Sequence, residues 1–163
     1  MKKVLVVMGS DSDLKVMEKC VERLKAFDIP VEVRICSAHR TPAAAEELAR
    51  GAAERGFGVI IAAAGKAAHL GGVLAAHTTL PVIGVPMATS VMGGMDSLLS
   101  IVQMPKGIPV ATVAIDGADN AAILAAQMLA LADKELADKL RRFKADMAEE
   151  VTAKDALVKE RFA

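Results

Sequence analysis

Five short apolar runs, KVLVVMG (3–9), VEVRICS (31–37), GVIIAAAG (58–65), PVIGVPM (81–87) and PVATVAI (109–115), recur along the chain and are separated by stretches of helical periodicity. Each run is about the length of a strand, Val, Ile and other apolar residues dominate them, and most end at a Gly, Ser or Pro. Most are apolar at successive positions, as a strand covered on both faces has to be. Between the first two runs, DLKVMEKCVERLKAF places Leu14, Met17, Val21 and Leu24 three and four residues apart with charges on the other face. After the second, AAAEELARGAAER follows Pro42, which a first helical turn tolerates. Alternation of this kind implies right-handed crossovers, and therefore a parallel sheet with helices on both sides.

At 163 residues the chain is long enough to bury one core. The expected fold is an α/β, flavodoxin-like three-layer sandwich with a five-stranded parallel sheet and a long C-terminal helix. The whole chain, 1–163, reads as a single domain, with an α/β core over 1–132 and the helix over 133–163. This last part differs in pattern from the rest. NAAILAAQMLALA (120–132) is apolar on nearly every side, which predicts a helix buried all round. DKELADKLRRFKADMAEEV then carries Leu136, Leu140, Phe143, Met147 and Val151 as one stripe, with no later strand to cover it. The helix either folds back on its own domain or packs on a neighbouring copy of the chain; the second covers both surfaces most simply.

Composition excludes several classes of function. The formal charge is zero, and there are four Phe but no Tyr or Trp. A nucleic-acid partner is therefore not expected, because single-strand binders need basic grooves and stacking rings. No apolar run approaches the roughly 18 to 20 residues of a bilayer span, so no membrane is expected. The opening MKKVLVVMGSDSD is too short, and lacks the small-residue cleavage site, for a secretory signal; it reads as a first strand. Cys20 and Cys36 stand far apart among apolar neighbours, which fits reduced core thiols in a cytoplasm. Three separated histidines give no metal-ligand spacing. The glycines match neither the phosphate-binding nor the dinucleotide-binding fingerprint.

In an open parallel sheet, ligands bind beyond the C-terminal strand ends. The segments that matter are therefore GSDSD, SAHRTP, AGKAAHLGG, PMATSVMGG and the stretch after Ile115. In the first, Gly9 allows a close turn, and the amides with the hydroxyls of Ser10 and Ser12 suit an anion at a helix start. Asp13 would repel a phosphate, so it points at sugar hydroxyls or caps the helix. In the second, Ser37, His39 and Arg40 leave one strand end together. Arg40 offers a planar fork for phosphate or carboxylate, and the imidazole of His39 can act as acid or base near neutral pH. The plainer alternatives are a loop hydrogen bond for His39 and a surface ion pair for Arg40. In the third, small residues around Gly65 fit a ligand pressed on backbone, with His69 on a short helix and Lys66 either attracting a carboxylate or solvating the rim. His77 reads as structural. Together these residues describe a small phosphorylated ligand with a histidine beside it.

The blocks MGSDSD, SAHRTP, AAHL, TTLPVIGVP, MDSLLSIVQMP and PVATVAI stand in an order that closely resembles the bacterial-type 5-(carboxyamino)imidazole ribonucleotide mutases of purine biosynthesis, from about Met8 to Ala132. The resemblance implies an isomerase that moves a carboxylate from an exocyclic nitrogen to ring carbon C4, with neither metal nor organic cofactor. It makes His39 the catalytic general acid and base, acting on both sides of a trapped carbon dioxide intermediate. Ser10, Asp13 and Arg40 become nucleotide-binding positions with Ser37 beside them, Arg40 and Ser10 near the 5′-phosphate and Asp13 near the ribose or base. Gly65 and His69 line the pocket, whose dry walls at 62–68 hold the gas. It also implies a homo-oligomer, an octamer, with C-terminal segments packed between subunits. Three departures stand out: Lys66 where members commonly have glycine, Gly71 where they have proline, and a shortened loop at 117–120. Two other readings fit the same residues. One is an aminoimidazole ribonucleotide carboxylase using free carbon dioxide, although that branch usually has Lys in place of Arg40 and lacks AAHL. The other is a non-catalytic sensor of phosphorylated ligands.

Overall fold

The structure, a computed structural model, describes residues 1–163. Strands β1 (Lys3–Met8), β2 (Val31–Ile35), β3 (Phe57–Ala64), β4 (Val82–Pro86) and β5 (Ala111–Thr112) alternate with helices α1 (Leu14–Ala26), α2 (Pro42–Arg50), α3 (Leu70–Ala76), α4 (Met95–Val102) and α5 (Ala118–Ala130). A final helix, α6, runs from Lys134 to Phe162. All strand pairs are parallel, in the order β2-β1-β3-β4-β5. This is the flavodoxin-like α/β sandwich that the alternation predicts.

Strand side chains alternate between two cores, as period-two geometry requires. Val4, Val6, Met8, Val59, Ile61, Ala63, Ile83 and Val85 face the layer built by α1, α5 and the start of α6. Leu5, Val7, Ile60, Ala62, Ala64 and Val82 face the other layer, with Leu48 of α2, Leu70 and Leu74 of α3 and Ile101 of α4. Because both faces are covered, β1, β3 and β4 are apolar at successive positions. The register pairs Met8 with both Ile35 and Ala63, and Ala64 with Pro86. Four loops therefore leave the sheet at one level.

The edges differ from the sequence reading. Of the run 109–115 only Ala111 and Thr112 form a strand, although Val113 still donates to Gly84 O at 3.1 Å. Pro109 has no N–H, and an edge strand has a neighbour on one side only. At the other edge, β2 leaves Val33, Arg34 and Ile35 exposed. In α1 the buried line is Met17, Cys20 and Leu24, while Leu14 in the first turn is exposed and Val21 half-buried. Cys20 and Cys36 are both buried and unpaired, as expected of core thiols. Burial pushes the Cys20 thiol up to about 12, with the charge of Asp119 adding to the effect.

The C-terminal part is only half covered. In α5, Ala118, Ala121, Ala122, Ala125 and Ala126 are buried, and their small side chains let the helix lie close to the sheet and α1. Ile123, Leu124, Met128 and Leu129 are partly buried, and Leu131 is 91 % exposed, so the helix is not buried all round within one chain. The side chain of Asp133 caps α6 by accepting from Leu136 N at 3.0 Å. Leu136 is buried, and Leu140 and Phe143 pack on the core. The Phe143 ring meets Phe27 edge to face at 5.5 Å, with the Arg23 guanidinium 4.7 Å over it. Folding back on the chain's own domain therefore holds as far as Phe143. Beyond it every residue is exposed, including Met147 and Val151 of the stripe. No helix is long and apolar enough to cross a membrane.

Candidate active site

The loops after β1, β2, β3 and β4 enclose a cleft of about 660 Å³ beyond the C-terminal strand ends. Ser10, Asp13, Ser37, His39, Arg40, Gly65 and His69 all line it, as does Lys66. The seven site residues read from sequence therefore converge on one cavity.

The β1 loop divides the roles left open for it. Ser10 is the cap of a 3₁₀ turn, Asp11–Asp13, its hydroxyl oxygen accepting from Ser12 N at 3.3 Å while its hydroxyl donates to Asp11 at 3.1 Å. Asp13 precedes α1 but makes no side-chain cap bond. It is instead buried at the cleft wall, 8 % exposed. Burial raises its carboxyl above the ordinary value, the backbone of Ser10 and the hydroxyl of Ser12 pulling the other way. A buried carboxyl of this kind suits ligand hydroxyl or amino donors better than a phosphate.

The β2 loop is braced from within. Thr41 Oγ1 accepts from Ser37 N and donates to Ser37 O, both at 3.0 Å, and Ser37 Oγ accepts from Arg40 N at 3.2 Å. This folds residues 37–41 into a tight turn that aims His39 and Arg40 at the cleft. Arg40 donates one bond across to Gly9 O at 3.1 Å, tying the first two loops together. Four of its five N–H donors remain for an anion.

His39 meets the β3 loop directly. Its Nε2 lies 2.9 Å from His69 Nδ1, and the two rings cross edge to face with centroids 5.0 Å apart. One proton fits between these nitrogens. A proton on His39 Nε2 requires a bare His69 Nδ1, and the reverse, so the tautomers of the two rings are coupled. His69 stands at the residue before α3 rather than on the helix. A Cβ built on Gly65 would meet Thr89 and Met87 at 3.5 and 3.6 Å, ordinary contact distances. Glycine there keeps the cleft wide instead of avoiding a clash. Lys66 adopts a left-handed backbone, φ 56°, without the freedom a glycine would have there.

A fourth wall, Met87, Ala88, Thr89 and Ser90, follows β4. The segment PMATSVMGG is marked in the sequence by its place after a strand, yet none of its residues carries chemistry that singles it out. Thr41 was likewise invisible as a brace, because its partner is defined by the turn it closes.

The family model of AIR carboxylase matches residues 3–150. The chain belongs to the AIR carboxylase family. Among AIR carboxylase family relatives, a protein of Mycobacterium tuberculosis named N5-carboxyaminoimidazole ribonucleotide mutase is 58 % identical over 154 residues, spanning 94 % of this chain and 88 % of that protein. One of the same name from Pyrococcus abyssi is 56 % identical over 147 residues, 90 % of this chain and 84 % of that protein. The crystal structure of Treponema denticola PurE superposes with a TM-score of 0.85 at 32 % identity, covering 94 % and 96 % of the two chains. The AIR carboxylase fold thus carries the cleft at the strand ends where the four loops meet.

Proposed function

We propose that this chain is an N5-carboxyaminoimidazole ribonucleotide mutase, an isomerase of purine biosynthesis, with His39 as its catalytic acid and base. The observation that carries the reading is the pair His39 and His69, in hydrogen-bond contact at the wall of a nucleotide-sized cleft, in a chain of this family. The ribonucleotide phosphate lies against Arg40 and Ser10, and Asp13 takes donors from the ribose or base.

The reaction balances within the site. Protonated His39 gives its proton to the carbamate nitrogen as the nitrogen–carboxyl bond breaks and carbon dioxide leaves. The electron-rich C4 of the ring then attacks that carbon dioxide, forming a carbon–carbon bond. The C4 proton passes back to the imidazole, which returns to its starting state. No electron or group is gained or lost overall, so the scheme calls for no redox cofactor, and its one proton is carried by His39. The small residues Ala64, Gly65 and Ala67 in the cleft lining let the substrate pack closely and keep the gas within reach between the two steps. His69 holds the His39 ring and tautomer through the coupled proton.

We assign the working form to a homo-oligomer, an octamer, in which the distal part of α6 packs on a neighbouring subunit; its uncovered apolar residues support this. A cytoplasmic location fits two unpaired, buried thiols.

Purified protein is to be incubated with the carboxyamino nucleotide at limiting bicarbonate, without added cofactor, and the product followed by NMR. Formation of the C4-carboxylated isomer is expected. Turnover only with aminoimidazole ribonucleotide plus bicarbonate would convert the assignment to the carboxylase. Binding without turnover of either substrate would make the protein a sensor.

A further inference from the structure

The connection from β5 to α5 does not line the cleft, yet it holds one of the cleft's walls. Asp116 lies there in a left-handed backbone conformation, φ 55°, which Asp and Asn tolerate better than other residues with a side chain. Two bonds hold it here. The Asp116 N–H donates to Pro86 O at 2.8 Å, and Asp116 Oδ1 accepts from Ala88 N at 2.9 Å. The two contacts straddle Met87, the first residue after β4, at the point where the chain leaves the sheet and becomes cleft wall.

The neighbouring contacts show how much depends on this grip. The wall returns on itself through Gly93 N to Thr89 O at 2.9 Å, and Thr89 Oγ1 donates to Asp96 at 3.0 Å. Buried Ser97 reaches Met87 O at 2.7 Å and Gly94 O at 2.9 Å, closing the base of the loop. All of these ties run within residues 87–97. From outside that segment the wall is held at Met87, whose N–H donates to Ala64 O of β3 at 2.9 Å, and at Ala88, whose N–H donates to Asp116 from the β5 edge. The same segment packs beneath it: a Cβ on Gly94 would fall 2.7 Å from Ile115 Cγ2 and 3.3 Å from Ala88 Cα, so the loop rests directly on Ile115.

We infer that Asp116 is a positioning residue for the reaction: it fixes the Ala88 amide, and with it the Met87–Ser90 wall facing Gly65, without touching substrate. The inference rests on the proposed mutase activity for its kinetic consequence, and on geometry alone for its structural one. A carboxylate is not required in principle, since an asparagine carbonyl at the same position also accepts one N–H. Misplacing a wall by about 1 Å is worth up to about 100-fold in rate.

The test compares Asp116→Ala and Asp116→Asn with the parent by steady-state kinetics on the carboxyamino nucleotide and by hydrogen exchange at the Ala88 amide. Asp116→Ala is expected to lower kcat/KM about tenfold, mainly through KM, and to speed Ala88 exchange at least tenfold with the thermal midpoint little changed. Asp116→Asn should restore both to within about threefold. Unchanged exchange in Asp116→Ala would overturn the clamp, and so would an Asn variant as impaired as Ala. Faster exchange with unchanged KM would leave the clamp purely structural and overturn its positioning role. Were the parent itself inactive on this nucleotide, the failure would lie with the mutase reading, and the exchange comparison would still decide the clamp.

Discussion

Residues 1–143 and residues 144–163 are built on opposite terms. The first part buries apolar side chains on both faces of a sheet and turns its loops into a cavity. The second part continues a helix of good local propensity, with ion pairs such as Lys154–Glu150 and Lys159–Asp155 one turn apart, and buries nothing. It propagates a helix already begun at Lys134, without the tertiary packing that supplies most helical stability in proteins. Along it, Leu157, Val158 and Phe162 are more than half exposed. The comparison teaches that cleft and helix end are separable within one chain: the candidate site residues all meet in one cavity, whereas the helix beyond Phe143 finds no cover in the same copy.

The sharpest way to test that separation is at the histidine. His39→Ala should lower turnover by at least about 10²–10⁴-fold while nucleotide affinity, read by calorimetry, stays within severalfold, because the loss is of proton transfer. Deleting residues 144–163 should do the reverse. The core should keep its cooperative unfolding, while sedimentation shows smaller species than the parent; an unchanged sedimentation pattern would break the comparison. At the boundary, Phe143→Ala removes the edge-to-face contact with Phe27 and the stacking of Arg23, and should cost about 2 kcal/mol in equilibrium denaturation.

Two smaller effects probe the cleft itself. The raised carboxyl of Asp13 binds its proton more tightly folded than unfolded, so it lowers stability as pH rises from the ordinary value, 3.8, through the raised one. Asp13→Asn should therefore be more stable than the parent at neutral pH, the gain vanishing below 3.8 in acid titrations of unfolding. It should also bind nucleotide more weakly. Lys66→Gly relieves a left-handed backbone at the expense of a more flexible unfolded chain, and should gain about 0.5 kcal/mol. A loss of stability there would mean that the lysine side chain makes a favourable contact.

Much of this was legible in the sequence because burial writes directly into residue type. Val4 to Met8, Val59 to Ala64 and Val82 to Val85 are apolar without a break because both their faces are covered. Strand ends could then be located, and with them Ser10, Asp13, Ser37, His39, Arg40, Gly65 and His69. What stayed illegible depends on pairing across the chain. The 2.9 Å contact of His39 with His69 joins residues 30 positions apart. Asp116 is an ordinary polar loop residue until Ala88 is seen above it. The helix stripe from Leu136 to Val151 was visible, but not that its cover within the same chain would stop at Phe143.

The strand order also bears on how the molecule is made. β1 precedes β2 and β3 in the chain but lies inside the sheet, between them. One of its edges can be satisfied soon after residue 35 is added; the other waits for residues 57–64. At a translation rate of about 5–20 residues per second, that wait lasts about 3 to 12 s. Throughout it the stretch Val4–Met8 has an unpaired backbone edge between two apolar faces, open to any strand nearby. The nascent β1 stretch is therefore exposed to mispairing until β3 has been made.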